Sequence, residues 1–240
     1  MHTWPVINWY SINLDSDLNR RESILKEAEG FGAEICRVSA VDAKTLTDVD
    51  RNFVARGVRA AWLSHIKVME LFLASDADFA IITEDDFHIE SSTKLKKSLS
   101  LETTFEFDLV QFGFLLPGMD IRVKVLLANL QLSGFSLLAK LGKLPFFDSM
   151  SFLGRMRVRE ADNAPKGFVM YDCQPGAHFY LVSRRFASEI TALNSPQFLS
   201  IDDFYTALSK MRAFKMARLR KSVVSQFPFP AWTGDRFTSR

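Results

Sequence analysis

A short apolar run that ends in three acidic residues constrains the fold of this chain most. The segment from Phe79 to Thr83 shows no polar alternation, which is typical of a central strand covered on both faces. Glu84, Asp85 and Asp86 follow at once, and their like charges repel one another unless a cation or hydrogen-bond donors compensate them. Ligands of parallel sheets collect at the carboxyl ends of strands, so the sequence predicts a functional site here. A solvated loop or a helix N-cap is the structural alternative for these acids.

The segments around this strand alternate between strand-like and helix-like patterns. Short β-branched runs predict strands at 6–14, 34–39 and 108–113. Apolar residues at helical spacing predict helices after Asp15 and at 60–74, and a polar segment at 91–101 is also predicted to be helical. This rhythm predicts an α/β fold with a mostly parallel central sheet flanked by helices. The chain has 240 residues, of which 48% are hydrophobic, and it shows no internal repeat or linker. We therefore expect a single domain over residues 1–240.

Two segments depart from this rhythm. Residues at about 114–166 are rich in Leu and Phe and are interrupted by Gly and Pro, which indicates an apolar insertion. The segment at about 210–221 has six Lys and Arg residues and no acid. Because apolar residues lie between these cations, the segment predicts an interfacial helix in peripheral contact with an anionic membrane. The alternative is a surface helix with solvated cations and an apolar face in the core.

Charge and cysteine content restrict the partners and the compartment. The 30 Lys and Arg residues against 28 Asp and Glu residues give a net charge of +2, which is too balanced for a nucleic-acid-binding domain. Cys36 and Cys173 favour a reducing compartment over a disulfide-stapled scaffold. The first residues lack the basic region of a signal peptide, and the longest apolar stretch, 125–139, is too short to span a bilayer. These features predict a cytoplasmic protein that reaches the inner face of the membrane only peripherally.

The acidic triplet has the chemistry of a divalent cation site. Alternate residues of an extended turn face the same way, so Glu84 and Asp86 are predicted to hold Mn²⁺ or Mg²⁺, both of which prefer hard oxygen ligands. Asp85 then points elsewhere, and we assign it to substrate binding. The arrangement resembles the Asp-X-Asp device of GT-A glycosyltransferases, in which the last acid holds a metal that bridges the diphosphate of a nucleotide sugar.

Separated blocks along the chain match, in order and spacing, the signature segments of one enzyme family. The blocks are Ile12-Asn13-Leu14-Asp15 with Arg20-Arg21, Ser39 to Ala43, Leu63-Ser64-His65-Ile66, Ile81 to Asp86, Asp108 to Gly113, Gly176 to Ser183, and Ile201-Asp202. Together they resemble glycosyltransferase family 25, the lipopolysaccharide and collagen galactosyltransferase family. Ala43 and Ala60 stand where that family usually has glycine, and the apolar insertion has no counterpart there.

The resemblance implies a GT-A-type fold and a metal-dependent, inverting enzyme. Its donor would be a UDP-sugar, and UDP-galactose is the first candidate on the resemblance alone. Its acceptor would be a hydroxyl group of a glycan or glycolipid such as lipopolysaccharide. Inversion needs a base that takes the proton of the acceptor hydroxyl. Asp202 is the first candidate for this base and Asp203 the second. Helix capping is the structural alternative for one of the two.

Eight other residues are assigned to the binding of the donor. They are Asn13, Asp15, Arg21, Asp42, Ser64, His65, Asp85 and His178. Asn13 and Asp15 lie at the end of the first strand, where the nucleoside of the donor would lie. Arg21 is predicted either to reach a phosphate or to brace Asp15, and a solvated helix charge is its structural alternative.

The later members of this set have structural alternatives as well. Asp42 is predicted to bond uracil or ribose, or else to cap a helix that begins near Thr45. Ser64 and His65 lie on a helix aimed at the sheet, and His65 is predicted to bind phosphate or sugar hydroxyls, or else to be a satisfied core histidine. His178 is predicted to contact the metal or the diphosphate.

Two rival functions stay open on sequence grounds. Asp15 and Asp17 follow the first strand with the spacing of the nucleophile and acid of haloacid-dehalogenase-type phosphatases, although Asn19 occupies a position where those enzymes usually have Thr or Val. The alanines at 43 and 60 also permit a catalytically silent glycosyltransferase-like protein that binds a sugar nucleotide without turning it over.

Overall fold

Strands and helices alternate along the chain that the computed structural model describes, namely residues 4–47, 54–115, 164–193 and 199–226. The strands are β1 (Ile7–Asn13), β2 (Cys36–Ser39), β3 (Phe79–Thr83), β4 (Phe87–Ile89), β5 (Leu109–Gly113), β6 (Phe168–Met170), β7 (Phe179–Ser183), β8 (Met216–Leu219) and β9 (Val224–Gln226). The helices are α1 (Leu18–Phe31), α2 (Arg56–Leu73), α3 (Ser92–Leu99), α4 (Arg184–Thr191) and α5 (Ile201–Lys210). The predicted insertion at 114–166 lies almost entirely outside the described residues.

One mixed sheet connects these strands. Its main path follows the order β2-β1-β3-β7-β5-β8-β6, and β9 pairs with both β5 and β4. β1 is parallel to β2 and β3, β5 is parallel to β8, and β7 is antiparallel to β3 and β5. β6 is antiparallel to β8. Along the main path, all strands except β6 and β7 therefore run in one direction. The predicted α/β class is confirmed, with an antiparallel strand at its centre.

The central strand β3 is buried on both faces, as its apolar run predicts. Ala80 and Ile82 belong to a core that α2, α4 and α5 complete, whereas Ile81 belongs to a second core with residues of α1 and α3. Each of the three side chains is at most 3% exposed. Because successive residues of a strand point to opposite faces, this two-sided cover leaves the strand ends as the place for polar groups.

Two helix starts lie close to the end of the sheet that carries the acidic triplet. The Asp17 side chain caps α1 by accepting the N–H of Arg20, and the helix ends at Gly32 in the left-handed region at φ 73°. Ser200 caps α5 in the same way through the N–H of Asp203. These caps fix where each helix starts.

The prediction of an interfacial helix at 210–221 is wrong. This segment contains the end of α5, a turn and β8, which lies in the sheet between β5 and β6. Two of its cations are paired: Arg218 contacts Asp172 at 2.7 Å and Lys215 contacts Glu106 at 3.0 Å. Among the helices of the four described ranges, none is long and apolar enough to cross a bilayer.

Candidate active site at the end of the central strand

The acidic triplet lies at the edge of the sheet where β1 and β3 end and β7 begins. Thr83, the last residue of β3, is paired with Ser11 of β1 and with Phe179 of β7. The next backbone N–H, that of Glu84, donates to the carbonyl of His178 at 3.2 Å. The start of the triplet is thus fixed by backbone bonds at the carboxyl end of a central strand, where α/β sheets bind ligands.

Asp85 is neutralised within the protein. Its carboxylate accepts hydrogen bonds from Arg20 Nη1 at 2.6 Å and from Asn13 Nδ2 at 2.9 Å. The side chains of Arg20 and Asp85 are 9% and 12% exposed, so this ion pair is largely removed from water. Asn13 is held in turn by Arg37, whose Nε donates to Asn13 Oδ1 at 2.9 Å. Two predicted site residues, Asn13 and Asp85, are therefore brought together and bound to each other.

A different arginine from the predicted one holds Asp15. The Asp15 carboxylate accepts hydrogen bonds from Arg37 and from Ser39 Oγ, the latter at 2.7 Å, and these bonds lower its pKa. Arg21 is exposed on α1, and its predicted contact with Asp15 is wrong. The preceding residue, Arg20, is the one that the helix turns toward the sheet. A contact between Arg21 and a phosphate stays a prediction.

Glu84 is surrounded by protein but remains accessible to solvent. Its Oε1 lies 3.2 Å from His65 Nε2, and its side chain is 32% exposed. Burial raises the pKa of Glu84 to about 7, the negative charge of Asp85 acts in the same direction, and the Arg20 cation opposes both. Glu84 is therefore only partly ionised at neutral pH, and a bound cation would favour its ionised form.

Asp86 is the buried member of the triplet. The residue is 3% exposed, and among the described residues its Oδ1 has no hydrogen-bond partner. Burial raises the pKa of Asp86 to about 7, and the charges of Glu84 and Asp85 raise it further against the opposing effect of Arg20. A buried carboxylate oxygen without a partner is costly in its ionised form, so it would gain strongly from a contact with a cation.

The triplet fits a divalent cation that a substrate helps to hold. Within the described ranges, no group of three His, Cys, Asp or Glu side chains is arranged to hold a metal by itself. Mg²⁺ commonly keeps several waters and binds through one or two carboxylates together with substrate phosphates. Glu84 has an accessible carboxylate and Asp86 an unpartnered oxygen, so the two fit this smaller donor set. Asp85 is occupied by Arg20.

His65 is buried against Glu84. It is 1% exposed, its Nδ1 lies 2.6 Å from the hydroxyl of Tyr180, and that hydroxyl lies 3.3 Å from the hydroxyl of Tyr205. Burial lowers the pKa of His65 to about 4, so the ring is neutral at physiological pH. Both ring nitrogens have protein partners, so in this structure the ring holds neighbouring side chains in place. Its contact with phosphate or sugar hydroxyls stays a prediction.

The two candidate bases have different surroundings. Asp202 Oδ1 accepts the N–H of Ala177 at 2.5 Å. Asp203 bonds Ser200 twice, through a side-chain oxygen at 2.8 Å and through its own N–H at 3.1 Å, and so takes part in capping α5. Burial raises the pKa of Asp202 to about 7, and the charge of Glu84 raises it further. Asp203 is therefore bonded to the capping residue Ser200, whereas Asp202 interacts electrostatically with Glu84 of the triplet.

Ser64 and Asp42 make local bonds that fix the chain after β2. Ser64 Oγ donates to the carbonyl of Ala60 at 2.7 Å and accepts the N–H of Val41 at 2.8 Å. Asp42 accepts a backbone N–H at 2.9 Å and caps the 3₁₀ turn Ala43–Thr45. The structure therefore shows the capping alternative for Asp42. Contacts of Ser64 and Asp42 with a donor stay predictions.

His178 is completely enclosed. It is 0% exposed, and burial lowers its pKa to about 4. A Cβ at Gly113 would lie 2.5 Å from His178 Nε2 and one at Gly176 would lie 2.9 Å from Nδ1, so both positions require glycine. Among the described residues neither ring nitrogen has a well-formed hydrogen bond, although the Val224 backbone favours the charged ring slightly. Its contact with a metal or diphosphate stays a prediction.

Four side chains of this site were given no role from the sequence, although two of them, Arg20 and Tyr180, stand within the family blocks: Arg20, Arg37, Tyr180 and Tyr205. The arginines lie in an ordinary amphipathic helix and a short strand, where a solvated charge is the usual interpretation. The tyrosines lie in apolar segments and resemble core residues. For the tyrosines a chemical signal was also available, because a buried tyrosine hydroxyl normally has a hydrogen-bond partner.

Comparison with known proteins agrees with the motifs in the first half of the chain. The model of glycosyltransferase family 25, described as LPS biosynthesis protein, matches residues 6–116. This segment is similar to glycosyltransferase family 25. The resemblance drawn from the early blocks is thereby confirmed, and the family implies a glycosyltransferase with a sugar donor and a glycan or lipid acceptor.

The family 25 segment carries β1, β3 and the acidic triplet, and the α/β architecture agrees with a GT-A-like fold. The blocks at 176–183 and 201–202 lie outside the matched segment, so their assignment stays a prediction. No curated protein matched the chain in a sequence comparison.

Proposed function

We propose that this chain is a metal-dependent, inverting glycosyltransferase that moves a hexose, with galactose as the first candidate, from a UDP-sugar to a hydroxyl group. The acceptor would be a glycan or glycolipid such as lipopolysaccharide, as the description of the matching family suggests. The observation that carries the proposal is the buried, unpartnered Oδ1 of Asp86, which interacts electrostatically with the accessible carboxylate of Glu84 at the end of β3.

The donor side of the site consists of charges held in place by their neighbours. Mn²⁺ or Mg²⁺ held by Glu84 and Asp86 would neutralise the diphosphate and so favour departure of UDP. Arg20 and Asn13 tie down Asp85 between them, which fixes the backbone of the triplet. The geometry is thereby set before the donor binds, which lowers the cost of binding it.

The acceptor side needs one group that takes a proton, and Asp202 suits that role. Its pKa of about 7 is close to the operating pH, where a general base is most effective. The N–H of Ala177 orients its carboxylate. Ionised Asp202 would take the proton of the acceptor hydroxyl as that oxygen attacks the anomeric carbon from the face opposite to the departing diphosphate.

A binding screen tests the donor assignment. Thermal shifts should be measured with UDP-, GDP- and CMP-sugars, with and without Mn²⁺, because a ligand of the native state raises its apparent stability. We expect a shift with UDP-galactose that requires Mn²⁺ and disappears in Asp86→Asn. Asp76→Asn, at an exposed position before β3, is the matched control and should behave as wild type. A metal-independent shift, or equal binding by Asp86→Asn, would contradict the proposal.

Turnover separates the two candidate bases and the silent alternative. With UDP-galactose and a panel of glycan acceptors, Asp202→Asn should lose most of its turnover while keeping donor binding. Should Asp203→Asn lose turnover instead, the base is Asp203. Wild-type protein that binds UDP and Mn²⁺ but neither hydrolyses nor transfers the sugar would be the silent binding protein.

No observation favours the phosphatase alternative. Asp17, its would-be acid, caps α1, and Asp15, its would-be nucleophile, is held by Arg37 and Ser39. Phosphate release from a generic phosphoester that disappears in Asp15→Asn would reverse this judgement.

Peripheral binding at the inner face of an anionic membrane is the remaining part of the proposal, which places the enzyme in the cytoplasm. The exposed cations Lys210, Arg220 and Lys221 support it, since basic residues are attracted to anionic lipid. Flotation with vesicles that contain an anionic lipid tests it. Protein that stays at the bottom of the gradient would exclude this contact.

A further inference from the structure

Asp15 presents an exposed carboxylate at the edge of the sheet that carries the acidic triplet. It lies two residues after the end of β1, and β1 is parallel to β3, so both strands end at this edge. The Asp15 side chain is 73% exposed. Asn13, the last residue of β1, bonds Asp85 of the triplet at 2.9 Å. Asp15 is therefore placed beside the candidate donor site.

The Asp15 carboxylate is fixed before any ligand arrives. Arg37 Nη2 donates to its Oδ1, and Ser39 Oγ donates to its Oδ2 at 2.7 Å. Its backbone lies in a turn that the N–H of Asp17 closes on the carbonyl of Leu14 at 3.0 Å. Because the side chain and the backbone are both held, little conformational freedom is lost when a ligand binds.

Each oxygen of Asp15 can accept a further hydrogen bond. A carboxylate has about four lone-pair sites on its two oxygens. Among the described residues, Arg37 and Ser39 supply its hydrogen bonds, one on each oxygen. An acceptor site therefore remains on each of two neighbouring oxygens, in a side chain that reaches solvent. Two adjacent hydroxyl groups of a sugar, which form a vicinal diol, can donate to such a pair together.

The charges around Asp15 favour a neutral ligand. Its hydrogen bonds with Arg37 and Ser39 lower its pKa, and the cations of Arg37 and Lys67 act in the same direction, so the carboxylate is ionised at neutral pH. An ionised carboxylate repels phosphate, and the two cations beside it disfavour a metal ion at this position. Hydroxyl groups, which are neutral hydrogen-bond donors, suit it better.

The order of the strands separates the ribose from the hexose of a nucleotide sugar. β1 and β7 flank β3 on opposite sides. Asp202, the proposed base, bonds the N–H of Ala177 just before β7, so the anomeric carbon of the hexose has to lie on that side of the triplet. Asp15 lies on the β1 side. With the diphosphate at the end of β3, the ribose would extend toward Asp15.

We propose that Asp15 binds a vicinal diol of the nucleotide sugar, with the ribose as its first source and the hexose as the other, and that Arg37 and Ser39 position the carboxylate for this contact. The inference rests on the proposed function. It adds that the site distinguishes ribonucleotides from deoxyribonucleotides.

Calorimetry with UDP, 2′-deoxy-UDP and 3′-deoxy-UDP in the presence of Mn²⁺ tests the ribose contact. Wild-type protein should bind each deoxynucleotide about tenfold more weakly than UDP, at the lower end for a hydrogen bond to a charged group, because water can replace a missing hydroxyl at an exposed carboxylate. In Asp15→Ala the three affinities should become equal. Asp76→Ala, which removes an exposed carboxylate before β3, is the matched control and should keep the tenfold ratios.

UDP-galactose distinguishes the two sources of the diol. If the hexose supplies it, Asp15→Ala weakens the binding of UDP-galactose and leaves that of UDP unchanged. Wild-type protein that binds UDP and both deoxynucleotides equally, with no effect of Asp15→Ala on UDP-galactose, overturns this inference and leaves the proposed function standing. The comparison in wild type needs no variant and so does not depend on how Asp15→Ala folds. Wild-type protein that binds none of these nucleotides overturns the proposed function as well.

The ratio of the UDP and 2′-deoxy-UDP affinities also tests the positioning role of Ser39. Ser39→Ala removes one of the two bonds that hold the carboxylate, so the discrimination should fall to about threefold. Ser16→Ala, at the exposed position next to Asp15, is the matched control and should keep the tenfold ratio. Full discrimination in Ser39→Ala would contradict the positioning role.

Discussion

Replacement of Arg20 by Met should lower the free energy of unfolding by about 3 kcal/mol. Removal of one partner of a buried ion pair costs about 3–5 kcal/mol, because an uncompensated charge is left behind. The Arg20–Asp85 pair is 9% and 12% exposed with a contact of 2.6 Å, so it belongs to that class. Asp85 keeps the Asn13 amide at 2.9 Å, which places the expected loss at the lower end of the range. Met retains the length of the apolar stem.

Urea unfolding of four variants isolates this interaction. Arg21→Met removes an exposed cation one position further along the same helix, so its free energy of unfolding should stay within about 0.5 kcal/mol of wild type. Asp85→Asn removes the charge that Arg20 compensates. Arg20→Met combined with Asp85→Asn should therefore be less destabilised than the sum of the two single variants, by about 2 kcal/mol. A loss below about 1 kcal/mol in Arg20→Met, or strict additivity of the two changes, would refute this account of the pair.

Three further perturbations have definite expected results. Gly113→Ala should lower the free energy of unfolding in urea by about 2–3 kcal/mol, because its Cβ would lie 2.5 Å from Nε2 of the enclosed His178 ring. Gly30→Ala, in a helix with open space around the new methyl group, should raise that free energy by about 0.5 kcal/mol, and equal effects of the two changes would contradict the steric argument. Arg184→Lys should lower the free energy of unfolding by about 2 kcal/mol in the same assay, because Arg184 donates to the carbonyls of Leu73, Ser75 and Ala77, at and after the end of α2, at 2.7 to 3.0 Å, and lysine cannot reproduce that fork. An unchanged unfolding midpoint would contradict this. Sugar transfer should rise as pH increases through about 7, because burial raises the pKa of Asp202 and only its ionised form accepts a proton, so a flat profile between pH 5.5 and 8 would exclude it as the base.

The sequence predicted the parts of the fold that local patterns determine. The apolar run of β3 and the acids after it were recognisable because a strand buried on both faces has no polar alternation. The direction of β7 was not predictable, since an antiparallel strand at the centre of the sheet has the same apolar pattern as a parallel one. The strand inside the basic segment at 210–221 was also missed, because its cations mask a short run that pairs with β5.

Residues of the site were predictable where the type of residue determines the chemistry. Carboxylates after a strand are unusual enough to be found by inspection. Which of two neighbouring arginines turns inward is set by the rotation of α1 against the sheet, so the sequence could not show that Arg20, and not Arg21, enters the site, where it binds Asp85. The sequence also could not tell which of Asp202 and Asp203 bonds the capping residue Ser200, because both lie in the first turn of α5.

A crystal structure of the chain with Mn²⁺ and UDP tests the central claim most directly. We predict an anomalous manganese peak within about 2.2 Å of a carboxylate oxygen of Glu84 or Asp86, with the diphosphate bound to the same ion. Manganese and nucleotide bound elsewhere, with the side chains of the triplet turned away from both, would contradict the claim that the end of β3 is the donor site of a glycosyltransferase.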